Sequence, residues 1–401
     1  MANCLVAQSG GPTSVINATV AGVVKANQLN PYYDKVLGGL NGIEGILKER
    51  FVDLTAMSDE ENVLLRQTPS SALGSCRYKL KRDNVADFEK LFEILDKYDI
   101  ETMFYTGGND SMDTVLALSE YAEAHNIKGH RFVGCPKTVD NDLVGTDHCP
   151  GFASAAKYIA TVALHTWLDV NVYTRQEVFI LETMGRDAGW LAASACLSGV
   201  VDLVCVPEVV FDKDTFLKEV AKCIKEKNKC YVVVSEGCKF ADGTYIAAGE
   251  AKGDGFGHAV LGGAGQAVKN MILESGTAER CKVQDLSTAQ RCYATTQSLV
   301  DVTESFQLGM SAHMRSCDGK FTGKMVGLVR KEGSEYDVEY VAIDAKNVAN
   351  YVKPFPTEWL LPDYKGISDE ALAYLRPLIK GSPVVTCEDG LPVYVKPYYM
   401  R

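Results

Sequence analysis

The sequence predicts an α/β protein, with parallel sheets flanked by helices and two domains. Three observations carry that prediction. Short apolar segments alternate with longer amphipathic ones, the pattern of strand–helix–strand units in a parallel sheet. Three of the N-terminal strands run into Gly- or Pro-rich turns. The chain has 401 residues, more than the roughly 250–300 at which a single core stops growing.

Taken in order, residues 3–8 (NCLVAQ) read as a strand. Residues 14–27 (SVINATVAGVVKAN) place apolar side chains at three- and four-residue spacing and read as a helix. Residues 35–37 lead into a Gly-rich turn. Residues 85–98 are a second helix, 102–106 a buried strand, 111–125 a third helix and 131–134 the next strand. A second unit starts near residue 150. It has a helix at 152–168, a strand at 177–181 (EVFIL), a strand at 203–206 ending in Pro207, a Lys-rich helix at 213–227 and a strand at 231–235 (YVVVS). The stretch 253–265 (GDGFGHAVLGGAG) lacks the preceding strand that a dinucleotide fingerprint needs, so a mobile loop is expected. Residues beyond 340 carry no functional pattern and are expected to pack on the body as strands and turns.

Composition narrows the function classes. Hydrophobic residues make up 46% and charged residues 23%, which is ordinary for a globular protein. No apolar run reaches the roughly 20 residues of a membrane span. The N-terminal MANCLVAQSGG is too short and lacks the basic flank of a signal peptide, so a cytoplasmic protein is expected. The 13 cysteines include no C-x-x-C pair and are read as reduced, buried thiols, and the six histidines show no zinc spacing. The formal charge of −11 argues against a nucleic-acid partner. It does not exclude an anionic small substrate, because a local cluster of Arg and Lys in a cleft outweighs the global sign.

Three turns at strand ends concentrate the chemistry, where an open α/β sheet binds its ligand. The first, SGGPT (9–13), is either a phosphate cradle at a helix start or a plain tight turn; it lacks the G-x-G-x-x-G of a nicotinamide site. The second, GGNDS (107–111), sets Asp110 at a helix start, where an acid also serves as a simple N-cap. The third, PKTVDND (136–142), packs Lys137, Thr138, Asp140 and Asp142 into seven residues. Such a turn is either a solvated acidic loop or a place where a carboxylate takes a hydroxyl proton beside a lysine and Mg²⁺. In the second unit, strand EVFIL runs into ETMGRDAGW (182–190) and strand YVVVS into Glu236-Gly237. Arg186 there has the planar fork that matches a phosphate. Singly, Arg186 and Glu236 read equally as salt-bridge partners.

Together with LGSCR (73–77), GTDHCPGF (145–152), PE (207–208), SEG (235–237) and AQR (289–291), these turns resemble the phosphofructokinase family in order and spacing, over the chain to about residue 330. The resemblance implies two Rossmann-like three-layer (αβα) domains with the active site between them. Residues 1–150, rejoined by about 290–335, would form the donor domain, and 151–289 the sugar-phosphate domain, with 336–401 packed against the body. It implies Asp140 as general base toward the 1-hydroxyl of fructose 6-phosphate, with Lys137 and Arg186 as further catalytic groups. Thr138 and Asp142 would line the same turn. Met184, Gly185 and Arg291 would bind the sugar phosphate, Glu236 its hydroxyls, and Gly11 and Arg77 the phosphoryl donor. Family members that use ATP have glycine at positions 110 and 137. Asp110 and Lys137 match the members that use inorganic pyrophosphate. An ATP-dependent enzyme, a related acceptor such as sedoheptulose 7-phosphate and a sugar-phosphate sensor are the alternatives. Mg²⁺ and a homo-oligomer are implied as well. Asn109 stands where most relatives place a metal-facing aspartate. Thr288 and Lys282 match their family positions only weakly.

Overall fold

The computed structural model describes residues 1–247, 261–333 and 335–401. Most of the Gly-rich stretch 253–265 lies outside the described residues. In chain order the strands of the two main sheets are β1 (Asn3–Gln8), β2 (Val36–Gly39), β3 (Phe51–Asp53), β4 (Ile100–Gly107), β5 (Arg131–Pro136), β6 (Glu177–Thr183), β7 (Leu203–Cys205), β8 (Lys229–Ser235), β9 (Cys281–Asp285), β10 (Lys324–Arg330) and β11 (Val338–Asp344). The first sheet has the order β11-β10-β5-β4-β1-β2-β3, and the second β7-β8-β6-β9. The first is parallel except at its edges, where β3 and β11 run antiparallel to their neighbours. The second is wholly parallel. The protein is thus α/β, with two Rossmann-like αβα units.

Topology fixes where a ligand can sit. After β1 the chain moves to β2 on one side and returns to β4 on the other, so the switch point lies between β1 and β4. The crevice outside their carboxyl ends is the binding position of such a sheet. Strand and helix ends shift by a few residues from the sequence reading. The first helix is Ile16–Leu29, and the third starts at Asn109 with Gly108 as its N-cap. Asp110 is therefore in the first turn of that helix and is not its cap. β5 ends on Pro136, paired with Gly107, where a missing N–H costs the ladder least. The helix Lys213–Lys227 has the predicted bounds.

Several elements escaped the sequence reading, including the helices Asp59–Gln67, Ala264–Glu274 and Leu299–Ser316. The last opens on Ser298, whose side chain accepts from Asp301 N, a readable N-cap pattern. The C-terminal part serves both sheets. It adds β10 and β11 to the first, then crosses to the second, where Phe355 and Trp359 pack edge-on against Trp190. It finally returns to the first unit, with Tyr398 N bonded to Ala72 O. All thirteen cysteines are free, most of them buried. Among the described residues no helix is long and apolar enough to cross a membrane.

Candidate active site

The carboxyl ends of β1, β4 and β5 face those of β6 and β8 across a cavity of about 510 Å³. Of the residues singled out from sequence, Gly11, Arg77, Asn109, Asp110, Lys137, Thr138, Asp140, Asp142, Met184, Arg186, Glu236 and Arg291 all line it. Gly185 stands behind the wall. Its φ is +127°, and a Cβ there would meet Ala188 O at 2.6 Å and Ser235 Oγ at 2.9 Å. Only glycine makes the turn that presents Arg186 to the cavity. Gly185 O accepts from Ser235 Oγ at 2.6 Å, and the Gly185 backbone bonds the Glu236 carboxylate.

On the first-unit side, the turn after β1 is a seat for cations. Gly10 N donates to Cys76 O at 3.0 Å, so that N–H is spent. Gly11 O instead accepts from Lys137 Nζ at 2.5 Å. A Cβ on Gly11 would lie 3.0 Å from Arg291 Nη1, which is the space a guanidinium needs to enter from the other side. Lys79 Nζ stands 3.9 Å from the Asp110 carboxylate. The Asn109 amide is engaged at both atoms: Oδ1 accepts from Asn350 N, and Nδ2 donates to Tyr351 O.

Charges of both signs crowd one another here, and their proton affinities shift accordingly. Burial, then the charges of Asp142 and Glu236, push Asp140 up to about 7 against the pull of Arg186 and Lys137. Burial likewise raises Asp142 and lifts Glu236 to about 7, where Gly185 opposes it and Glu182 adds to it. Burial pulls Lys137 down to about 8; Asp140 resists this, and Arg291 reinforces it. Burial and the neighbouring Arg291 and Arg186 also lower Arg77. Among the described residues, Arg186 Nη1 and Arg291 Nε are buried without a hydrogen-bond partner. Buried guanidinium donors left unfilled point to an anion. The turn itself is held in shape by Thr138 Oγ1, which accepts from Asp140 N at 3.1 Å. Met184 N is fixed by Gln290 Oε1 at 3.1 Å, which ties the segment bearing Arg291 to that bearing Arg186.

Some residues fall elsewhere. Lys282 sits near the start of β6, 3.3 Å from Glu177 and 3.5 Å from Asp169, and Thr288 does not line the cavity. Asp202, Cys223 and Cys230 bring three ligand atoms within 4.8 Å of one another, but both Asp202 oxygens are engaged, by Lys227 and by Tyr231 N. The sequence reading missed Lys79, Asp187, Asn350 and Val352, which also line the cavity. Lys79 was within reach, since it lies two residues beyond Arg77 in a basic run. Asn350 and Val352 carried no signal.

The phosphofructokinase family model matches residues 3–315. A pyrophosphate–fructose 6-phosphate 1-phosphotransferase of Methylococcus capsulatus is 40% identical, over 98% of this chain and 95% of its own. The enzyme of the same name from Halomonas elongata is 39% identical, over 98% and 96%. The crystal structure of a pyrophosphate-dependent phosphofructokinase from Nitrosospira multiformis superposes with a TM-score of 0.88 at 37% identity, covering 98% of this chain and 96% of that one.

Proposed function

The chain belongs to the phosphofructokinase family, and we propose that it moves a phosphoryl group from inorganic pyrophosphate to the 1-hydroxyl of fructose 6-phosphate. The products are fructose 1,6-bisphosphate and phosphate, and the reaction runs readily in both directions. The observation that carries this reading is the pairing of Lys137, tucked against Gly11 O, with Asp110 on the facing helix turn. Both are the residues of pyrophosphate users, and both line the cavity that holds the acidic pair Asp140 and Asp142. The Methylococcus and Halomonas relatives named for this reaction support it over nearly their whole length.

In this reading Asp140 accepts the proton of the attacking hydroxyl. Burial, with its acidic neighbours, strengthens it as a base by raising its proton affinity to about 7. Lys137, Arg186 and Arg291 offset the charge of the donor and of the phosphoryl group in flight. The turn at Gly185 presents Arg186 to the cavity, and the bond from Met184 N to Gln290 Oε1 ties its segment to the one bearing Arg291. Glu236, fixed by the Gly185 backbone, accepts from sugar hydroxyls. The Asp110 carboxylate repels an α-phosphate, and Lys137 supplies charge to a donor with no adenosine anchor.

Magnesium belongs to the same proposal. Asp140 and Asp142 offer carboxylate oxygens, the donors that a hard cation selects, and most of its shell would come from pyrophosphate and water. Asn109 has little left for this role, because its Oδ1 already accepts one bond from Asn350 N and its Nδ2 donates to Tyr351 O. When bound, the ion supplies positive charge to the leaving phosphate. A cytoplasmic homo-oligomer completes the reading. Leu164, Leu168, Val172 and Tyr173, exposed at the end of the helix Phe152–Asn171 and just beyond it, offer an apolar surface for assembly, and light scattering checks it.

The reverse direction tests the proposal. Purified protein given fructose 1,6-bisphosphate, phosphate and Mg²⁺ is expected to release pyrophosphate and fructose 6-phosphate, seen by ³¹P NMR. Failure to form pyrophosphate while the forward reaction proceeds with ATP would overturn the donor assignment.

A further inference from the structure

Residues 350–355 touch all three loops that carry the cavity's chemistry, and they do so chiefly through backbone groups. Asn350 N and Tyr351 O hold the Asn109 amide, in the turn after β4. Lys353 N donates to Asp142 O at 2.7 Å, in the turn after β5. Lys353 O accepts from Trp190 Nε1 at 3.1 Å, in the loop that follows β6. The segment is itself pinned. Lys353 Nζ donates to Thr146 O at 3.1 Å and Asp147 O at 2.8 Å, and it lies 5.2 Å from the centre of the Trp190 ring. Phe355 N donates to Glu208 Oε1 at 2.7 Å, and the same oxygen takes Gly189 N at 2.8 Å. Phe355 is fully buried.

This arrangement has a physical consequence. A phosphoryl transfer needs donor, base and acceptor aligned to a fraction of an ångström. Asn109 and Asp142 belong to the first unit, Trp190 and Glu208 to the second. A single six-residue stretch therefore bonds to both units beside the cavity. Asn350 has φ +67°, a conformation that asparagine tolerates better than most side chains. Its side-chain amide also donates to Asp113 at 3.3 Å, inside the helix Asn109–Ala124.

We propose that residues 350–355 form a positioning strap for the transfer site, with Lys353 as its principal positioning residue. Lys353 does not line the cavity; it acts through Asp142, Thr146, Asp147 and Trp190. Asn109 is the strap's anchor on the donor helix. The inference rests on the transfer reading above, because it takes the loops at 107–111, 136–142 and 184–190 as the working parts.

The test compares wild type with Lys353→Met, which keeps the chain's length and backbone bonds and removes the ammonium, and with Lys353→Arg. Two readouts are taken on the full-length protein. Steady-state kinetics with pyrophosphate and fructose 6-phosphate should show kcat lowered at least tenfold in Lys353→Met, KM for each substrate changed less than threefold, and most of kcat restored in Lys353→Arg. Amide hydrogen exchange should rise together in peptides covering 107–111, 138–147 and 185–190, the first of which is joined to the strap through Asn350 and Tyr351 and not through the Lys353 ammonium. Unchanged kcat and unchanged exchange in a folded Lys353→Met protein would overturn the strap. A lower melting temperature with wild-type kcat would overturn it too, as that is the mark of a merely structural lysine. If Lys353→Met is insoluble, Lys353→Gln is measured against the same criteria. The exchange readout needs no turnover, so failure of the proposed reaction and failure of the strap are distinguishable.

Discussion

The turn at residues 136–142 and the strap at 350–355 lie against each other, joined by the bond from Lys353 N to Asp142 O, and they are built on opposite plans. In the turn, side chains face the cavity and the backbone is fixed by its place at the end of β5. In the strap, the backbone makes most of the contacts, while Tyr351 and Val352 are largely exposed. The turn holds charge that is costly to bury. The strap holds geometry and carries one charge, capped by two carbonyls. Catalytic power and catalytic alignment are thus divided between neighbouring segments that are distant in sequence, and substitutions in the two should fail in different ways.

The largest expected effect comes from removing the base. Asp140→Asn should lower kcat by roughly 10²–10⁴-fold, the usual span for a general base, while fructose 6-phosphate binding by titration calorimetry stays within threefold. If turnover is retained, the turn loses its catalytic role and the contrast with the strap collapses. Arg186→Met should cost less. Losing charge-assisted hydrogen bonds worth about 1.5–3 kcal/mol corresponds to roughly 10–100-fold in kcat/KM, and the loss should appear for pyrophosphate and the sugar phosphate alike. The double change Asp110→Gly with Lys137→Gly should raise the rate with ATP relative to pyrophosphate; no rise at all would sink the steric and electrostatic account of donor choice.

The pH profile sharpens the comparison from the side of charge. Asp140 must be ionised to accept a proton, and its affinity is raised to about 7, so kcat/KM should climb as pH rises through 7. Lys137 must be charged, and its affinity is lowered to about 8, so activity should fall as pH passes 8. The expected curve is a narrow bell. Glu236→Gln should weaken sugar binding and keep the bell, with its acid limb moved to lower pH because the Glu236 charge no longer raises Asp140. Lys353→Met should lower the bell without removing either limb.

The smallest effect concerns the floor beneath both segments. Burial alone would lower His148, but Glu304 and Asp147 override it and hold the imidazole at about 9, with bonds of 2.7 and 2.8 Å. A histidine whose folded affinity exceeds its unfolded value of about 6.5 stabilises fully below that value, and the gain is lost as pH rises through 9. The melting temperature should therefore drop by a few degrees between pH 7 and pH 10, and His148→Gln should flatten that slope.

Much of the site was legible because its chemistry is local. Lys137, Asp140 and Asp142 lie within one strand-end turn, and Gly185-Arg186 follows a strand built on the apolar run VFIL (178–181). Most of the alternation of strands and helices between residues 85 and 235 was legible for the same reason: each element buries its own face. What escaped depends on distance in sequence. Asn350 meets Asn109 across 241 positions, through a backbone N–H that every residue but proline possesses, so no pattern marks it. The backbone partners of the Asn109 amide are equally hidden, because residue type tells which atoms are available and not which backbone will claim them. The shift of Asp110 from cap to first turn has the same origin: Gly108 takes the extended conformation, and the helix starts two residues earlier.

Phosphoryl transfer from pyrophosphate in this cavity is decided by the initial rate on purified protein with fructose 6-phosphate and Mg²⁺, pyrophosphate against ATP. Turnover with pyrophosphate and none with ATP is the predicted result, whereas turnover with ATP and none with pyrophosphate would contradict it.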